Sequence, residues 1–188
     1  SRESVMRRTC WMLVVAAVAC TMLISTPVLA QESSNLVRFG AGWYATIGDA
    51  NDVADNGVAI WVSYERRYSE KLGFEVLAAY SDYDPIFDLF GRDIELTPLM
   101  LAVNYYVKSS EKFELYVAPT IGFAQLDVAW MGGTESDSGF AWGAALGVDI
   151  PFGKDKWVVA LSGRYLTADL DGVDFDNSIF HAGVGYRF

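Results

Sequence analysis

His181 is the only histidine in the chain, so proton transfer near neutral pH would most naturally run through it. Ser162 lies on the preceding alternating segment, where pairing with the last one would place it across from His181. A serine beside an imidazole is the first requirement of a hydrolytic nucleophile. The competing reading is a buried imidazole hydrogen-bonded to an interior Tyr, Ser or carboxylate. The bland reading is preferred, and no catalytic residue is assigned. A second set has both signs of charge: Arg38, Arg67, Arg164 and Arg187 against Glu65, Glu75, Glu114 and Asp149. Enclosed on one face they must pair, because a lone buried ion costs several kcal/mol. They read as a structural plug of salt bridges and tyrosine hydroxyls, with a polar path for solute or protons as the alternative. A third set, Asp169-Leu-Asp171-Gly-Val-Asp174-Phe-Asp176-Asn177 and Asp49, Asp52, Asp55 and Asn56, offers oxygens to a hard cation. The spacing does not match the twelve-residue calcium loop and its terminal Glu is missing. These stretches, within 167–177 and 49–56, read as solvated acidic loops, with divalent bridging to surface phosphates as a softer variant. No metal site and no cofactor are expected.

What positions these residues follows from composition and pattern. Of 188 residues, 52% are hydrophobic and 14% aromatic. Arg7 and Arg8 precede an uncharged run, Trp11–Ile24, and Val28-Leu29-Ala30 closes with small residues at the cleavage positions. Residues 1–30 therefore read as a cleaved secretory signal peptide, with Met6 as the start and residues 1–5 as non-native additions. Both cysteines, Cys10 and Cys20, lie in that segment, so residues 31–188 have neither a disulfide nor a thiolate nucleophile. That part carries 11 Lys+Arg and 23 Asp+Glu, a net charge of −12. Nucleic acid is excluded as a partner, since phosphate binding needs clustered cations. No uncharged stretch of about 18 residues remains to form a spanning helix.

Instead the apolar residues recur every second position, the period of a strand. Eight such segments are expected, at Leu36–Gly48, Val58–Tyr68, Leu72–Tyr83, Thr97–Lys108, Phe113–Gln125, Phe140–Ile150, Trp157–Leu166 and Ser178–Phe188. In each, the run of alternate outward positions (Val58, Ile60, Val62 and Tyr64 in the second, Leu72 to Tyr80 in the third) is free of Asp, Glu, Lys and Arg, while the ionic set falls on the other face, where Lys108 is also placed. A charge near a bilayer midplane costs about 2–4 kcal/mol for Arg or Lys, which empties the lipid face of them. A soluble sandwich also alternates, but the glycines and alanines on the polar side suit a crowded lumen better.

The connections alternate as well. Ser69–Lys71, Ser109–Lys112 and Gly153–Lys156 are short, whereas Asp49–Asn56, Asp82–Glu95, Leu126–Gly139 and Thr167–Asn177 are long. Short periplasmic turns and long external loops are the outer-membrane rule. The long loops hold fifteen carboxylates against Arg92 alone. In the loop at 82–95, Ile86, Phe87, Leu89 and Phe90 would cap the barrel mouth or meet a host-surface or protein partner. Outward aromatics gather at both strand ends: Tyr80, Phe123, Phe140, Trp142, Tyr165 and Phe180 outside, and Tyr64, Tyr105, Phe113, Trp157, Tyr186 and Phe188 inside. Pro119 removes a mid-strand donor, so a bulge or a shifted strand end is expected there.

With its strand pattern, turn lengths and Gly185-Tyr-Arg-Phe188 ending, the segment 31–188 resembles the small bacterial outer-membrane barrels of the OmpX, Ail, opacity-protein and OmpA-barrel kind. The stretch Ala182–Phe188 is also similar to the ending of the OmpW group. The resemblance implies an all-β fold, an eight-stranded antiparallel up-and-down transmembrane β-barrel in the cell outer membrane of a Gram-negative envelope. It implies lipid and lipopolysaccharide as surroundings and the barrel-assembly machinery as partner of the strand ending at Phe188. A non-enzymatic role in adhesion or envelope integrity is expected, with acidic loops displayed outside. The alternative is a narrow conduit for small hydrophobic solutes, as the OmpW resemblance implies. Lipid-modifying enzymes also occur on such barrels, but the lipid A deacylases carry a His-x-Ser motif, and here Gly183 follows two after His181.

Overall fold

Alternation of apolar and polar residues becomes a wall when every strand finds two neighbours. The structure, a computed structural model, describes residues 34–47, 54–85, 93–130, 133–153, 156–170 and 173–188. Within them run β1 (Asn35–Ile47), β2 (Ala54–Ser69), β3 (Leu72–Pro85), β4 (Asp93–Ser109), β5 (Glu114–Trp130), β6 (Gly133–Phe152), β7 (Trp157–Leu170) and β8 (Val173–Arg187). Each pairs antiparallel with the next, and β1 pairs with β8, so the sheet closes on itself in up-and-down order. At the seam, Asn35 and Phe188 exchange two backbone hydrogen bonds of 3.0 Å. Closure removes the free edge that hydrocarbon would leave unsatisfied.

The facing of each strand matches the expected register. Outward Phe39, Trp43, Ile60, Leu101, Ile121, Phe123, Leu146 and Phe180 are exposed, while inward Arg38, Glu65, Glu75, Asp149 and Arg164 are buried. Outward aromatics pair around the rims: Phe123 lies edge-on to Phe140, and Trp157 edge-on to Tyr186. Between β6 and β7, Gly153 supplies the left-handed residue of the turn, at φ 59°.

Three expectations need correction. First, the strands outrun the apolar pattern on the loop side. The described residues of Leu126–Gly139 and Thr167–Asn177 are arms of hairpins, paired as far as Trp130↔Gly133 and Leu170↔Val173. Likewise Asp82–Pro85 and Asp93–Glu95 belong to β3 and β4, while Ile86, Phe87, Leu89 and Phe90 lie outside the described residues. So do residues 48–53, and with them most of the acidic stretch 49–56, and residues 1–33. Second, Pro119 makes no bulge. Between β4 and β5 the pairing passes from Ala102↔Thr120 to Tyr105↔Val117 in unchanged register, so the missing donor costs a ladder bond without an extra residue. The shift in that strand pair lies between Tyr106 and Lys108. Third, that bulge carries Lys108 out of the lumen: it is exposed, with its ammonium 5.1 Å from the Phe113 ring. A further outward cation, Arg66, sits at the same end with its guanidinium 5.5 Å from the Tyr68 ring. Both lie near the short-turn rim, where a long side chain reaches water.

The facing predicts a sharp asymmetry between neighbours on β4. Val103→Arg puts a charge on the lipid face and should cost about 2–4 kcal/mol near the midplane, lowering the folded fraction in a heat-modifiability gel. Ala102→Ser on the lumen side should leave that fraction unchanged.

Candidate functional site

The inward residues of the short-turn half form a single ionic network. Arg38 on β1 is almost wholly buried and meets carboxylates from three other strands. Its Nη2 donates to Glu65 Oε2 at 2.6 Å and to Asp149 Oδ2 at 2.6 Å. Nε donates to Asp149 Oδ1 at 3.2 Å, and Nη1 to Glu75 Oε1 at 3.4 Å. The Tyr106 hydroxyl donates to Glu65 at 2.8 Å, and Asn104 Nδ2 donates to the same carboxylate at 2.9 Å. Below them Arg67 grips Glu114 with two parallel bonds of 2.9 and 3.0 Å, Arg187 donates to Glu114 as well, and Arg67 lies 3.7 Å from the Tyr106 ring centre. Arg67 reaches Glu65 at 3.8 Å, which joins the two clusters, and Arg164 reaches Glu75 at 3.8 Å. Four arginines and four carboxylates thus share one enclosure with no net charge. This is the plug expected from their spacing. Tyr106 and Asn104 were not singled out as its members, although their inward register in the fourth segment carried that information. Small residues make the room: a Cβ added at Gly147 would run into the Tyr116 ring, which leans on Tyr106 with centroids 5.5 Å apart.

The loop-side half of the lumen is of another kind. Tyr44, Trp61, Leu77, Ile94, Leu96, Met100, Leu166, Leu170, Phe175 and Ile179 are buried there in one apolar cluster, with Leu126 and Val128 packed against it. Sequence reasoning treated the whole interior as polar and missed this. The signal was present, since Trp61, Leu77, Met100 and Leu166 all stand on the face opposite the lipid-facing residues.

His181 sits at the border of the two halves. The register places it directly opposite Ser162, as its spacing suggested, and beside Gly42 on the other neighbour. The expected hydrogen bond to Tyr, Ser or carboxylate is absent. Among the described residues neither Nδ1 nor Nε2 has a partner, and the ring instead stacks on Trp61 with centroids 5.0 Å apart and planes at 22°. Without a bond to Ser162 or an orienting carboxylate, no nucleophile–base pair is assembled. Nor do the described residues contain a group of three or more His, Cys, Asp or Glu able to hold a metal ion.

Outside the barrel, the arms of β5 and β6 extend past their neighbour. The β6–β7 pairing stops at Ala141↔Ala168, whereas β6 continues to pair with β5 up to Gly133. Residues 133–138 therefore pair on one side only among the described residues, while Gly139 still lies against the Asp169 backbone of β7. The sequence of 133–138, Gly-Thr-Glu-Ser-Asp-Ser, is mostly exposed.

Comparison with known proteins places this architecture. Residues 16–188 match the family model described as outer membrane protein beta-barrel domain. The structure is similar to Ail, the attachment invasion locus protein of Yersinia pestis, at TM-score 0.62 and 18% identity, covering 84% of this chain and 100% of that one. It is similar to the same protein in complex with the heparin analogue sucrose octasulfate, at TM-score 0.61 and 19% identity, with coverage of 84% and 100%. Neisserial surface protein A gives TM-score 0.63 at 15% identity, covering 83% of this chain and 98% of that one. At such identities the likeness is one of fold. No curated protein matches the sequence.

Two substitutions separate the roles in the lumen. Arg38→Met strands three buried carboxylates and should lower stability by about 3–5 kcal/mol, read from the urea midpoint in detergent micelles. His181→Phe keeps the stack on Trp61 and removes two unpartnered polar atoms, so the same midpoint should hold steady or rise.

Proposed function

We propose, for a chain that belongs to the outer membrane protein β-barrel family and resides in the cell outer membrane, a non-enzymatic role as a surface protein that displays acidic hairpins for adhesion or envelope integrity. The observation that carries this reading is the overhanging β5–β6 hairpin, whose residues 133–138 leave one backbone edge unpaired among the described residues. An open edge outside the membrane is a template on which a partner strand can add. The hairpin is also held stiff, because Leu126 and Val128 at its base pack on the apolar lumen cluster. A preorganised surface loses less entropy on binding than a loose loop.

Charge narrows the partner. The similar Ail structure holds sucrose octasulfate, a polyanion. Here Glu135, Asp137, Asp169 and Asp176 line the described parts of the external hairpins, without a Lys or Arg among them. A polyanion would be repelled, so the proposed partner presents cationic groups or a strand edge of its own. The apolar residues Ile86, Phe87, Leu89 and Phe90 are proposed as a second contact. Residues 1–30 are proposed to direct export and be removed, and the β8 strand ending at Phe188 to engage the assembly machinery. Contact with lipopolysaccharide belongs to the same proposal.

A conduit is disfavoured by the lumen itself, filled by paired ions in one half and an apolar cluster in the other. Catalysis by His181 is disfavoured by the absence of any bond to Ser162.

The experiment is to replace residues 127–136 with Asn-Gly, a turn that suits a shortened two-stranded hairpin, and to display both barrels on cells. The variant should remain heat-modifiable yet lose attachment to host-cell monolayers by about tenfold, the loss expected for roughly 1.4 kcal/mol. Undiminished attachment, or steady single-channel openings of the wild-type barrel in a planar bilayer, would overturn the reading.

A further inference from the structure

On the lipid-facing wall, Gly163 of β7 occupies a position where the outward pattern calls for a large side chain. Its cross-strand partners are Leu146 on β6 and Phe180 on β8, and Phe180 is in turn paired with Trp43 on β1. Leu161 and Tyr165 stand two residues to either side. All of these are exposed and large, with Trp43 at 53%, Leu146 at 56% and Phe180 at 64%. A Cβ added at Gly163 would meet only the edge of the Phe180 ring, at 3.8 Å. Inward glycines such as Gly147, by contrast, lie pressed against a neighbouring ring. Gly163 therefore leaves a gap rather than permitting a close approach. Together with Ala41 and Ala182 beside it, the gap forms the floor of a groove of roughly 650 Å³.

We propose that this groove is a binding site for one acyl chain of an outer-membrane lipid. The groove is continuous with the wall that already faces hydrocarbon, and no Asp, Glu, Lys or Arg lines it. A methylene chain needs no hydrogen-bond partner and can follow a shallow channel. An empty channel would forfeit the dispersion contacts of every atom lining it. The sides decide the selectivity: Trp43 and Phe180 form an aromatic bank, and Leu146 and Leu161 an aliphatic one. Both His181 and Ser162 abut the floor but face the lumen, so recognition is by shape and not by a polar anchor. The pairing of β7 with β8 is unbroken beneath the groove, from Trp157↔Tyr186 to Leu170↔Val173, so the chain lies on the wall and does not pass through it.

The test uses the folded barrel reconstituted in bilayers of palmitoyl-oleoyl phosphatidylglycerol, then released into mild detergent for native mass spectrometry. The wild type should carry one retained phospholipid. Gly163→Leu fills the floor and should cut the lipid-bound fraction at least fivefold, while Ala78→Leu on the lipid face of β3 leaves it unchanged. Should Gly163→Leu fail to give the heat-modifiable band, Ala182→Phe on the same floor carries the same expectation. Absence of bound lipid on the wild type, or equal retention by the filled variants, overturns the proposal. A dimer that only the filled variants abolish would also overturn it, by assigning the groove to a second copy of the chain.

Discussion

A bilayer interior offers no hydrogen-bond partner, and that constraint reaches every level of this barrel. The backbone must satisfy itself, so the sheet closes through Asn35 and Phe188. Ionic side chains cannot face out, so they turn in. Once inside, eight strands leave too little room for bulk water to solvate them, so they must solvate one another. Arg38 is the centre of that solution because a guanidinium presents five donors in a planar fork. Carboxylates arrive from β2, β3 and β6, and Arg38 addresses all three. A lysine at the same place would supply a point charge and three donors, without the fixed fork that bridges separate strands.

The division of the lumen into an ionic and an apolar half has consequences for the outer surface. The apolar cluster does not end where the membrane-facing band ends. Leu126 and Val128 extend it into the β5–β6 hairpin, while Ile94, Leu170 and Phe175 do so from β4, β7 and β8. The projecting hairpins are therefore outgrowths of a packed core, and their inner faces are held by burial. Their outer faces, and the β6 edge that has no second partner among the described residues, are left for the proposed contact. The plug thus serves two ends with different chemistry: ion pairing fixes the short-turn end, and apolar packing fixes the displaying end.

How much of this was legible in the sequence follows the same boundary. Where strands cross hydrocarbon, alternation is enforced on one face by lipid, and β1, β3 and β7 begin within a residue of where the pattern placed them. Beyond the bilayer both faces of a hairpin can be wet, and period two fades. Thr134-Glu-Ser-Asp-Ser138 shows no alternation, yet it is strand. The ionic network was readable because opposite charges confined to one face have few ways to be satisfied. His181 was harder: its place opposite Ser162 followed from register, but its preference for the Trp61 ring depends on a residue two strands away, across β1. Pro119 was misjudged because a missing donor can be absorbed as one lost ladder bond. The bulge fell instead near Val107, where the strand leaves the lumen and the ladder has less to lose.

These constraints also locate where the partner's chemistry is written. The lipid face must be apolar and the short-turn lumen must be neutral, so neither can vary much with the ligand. Proteins that share the barrel at 15–18% identity can therefore keep the wall and differ freely outside it. The external arms answer to water alone, and theirs is the charge that can be chosen. In this chain it is negative along the described hairpins, from Asp127 to Asp176. An acidic edge repels like chains as well as polyanions, which protects an open strand from pairing with its own copies. Under the proposed surface role, the same charge that keeps the edge from self-association selects a basic strand, since only such a partner gains from both the backbone and the side chains at once.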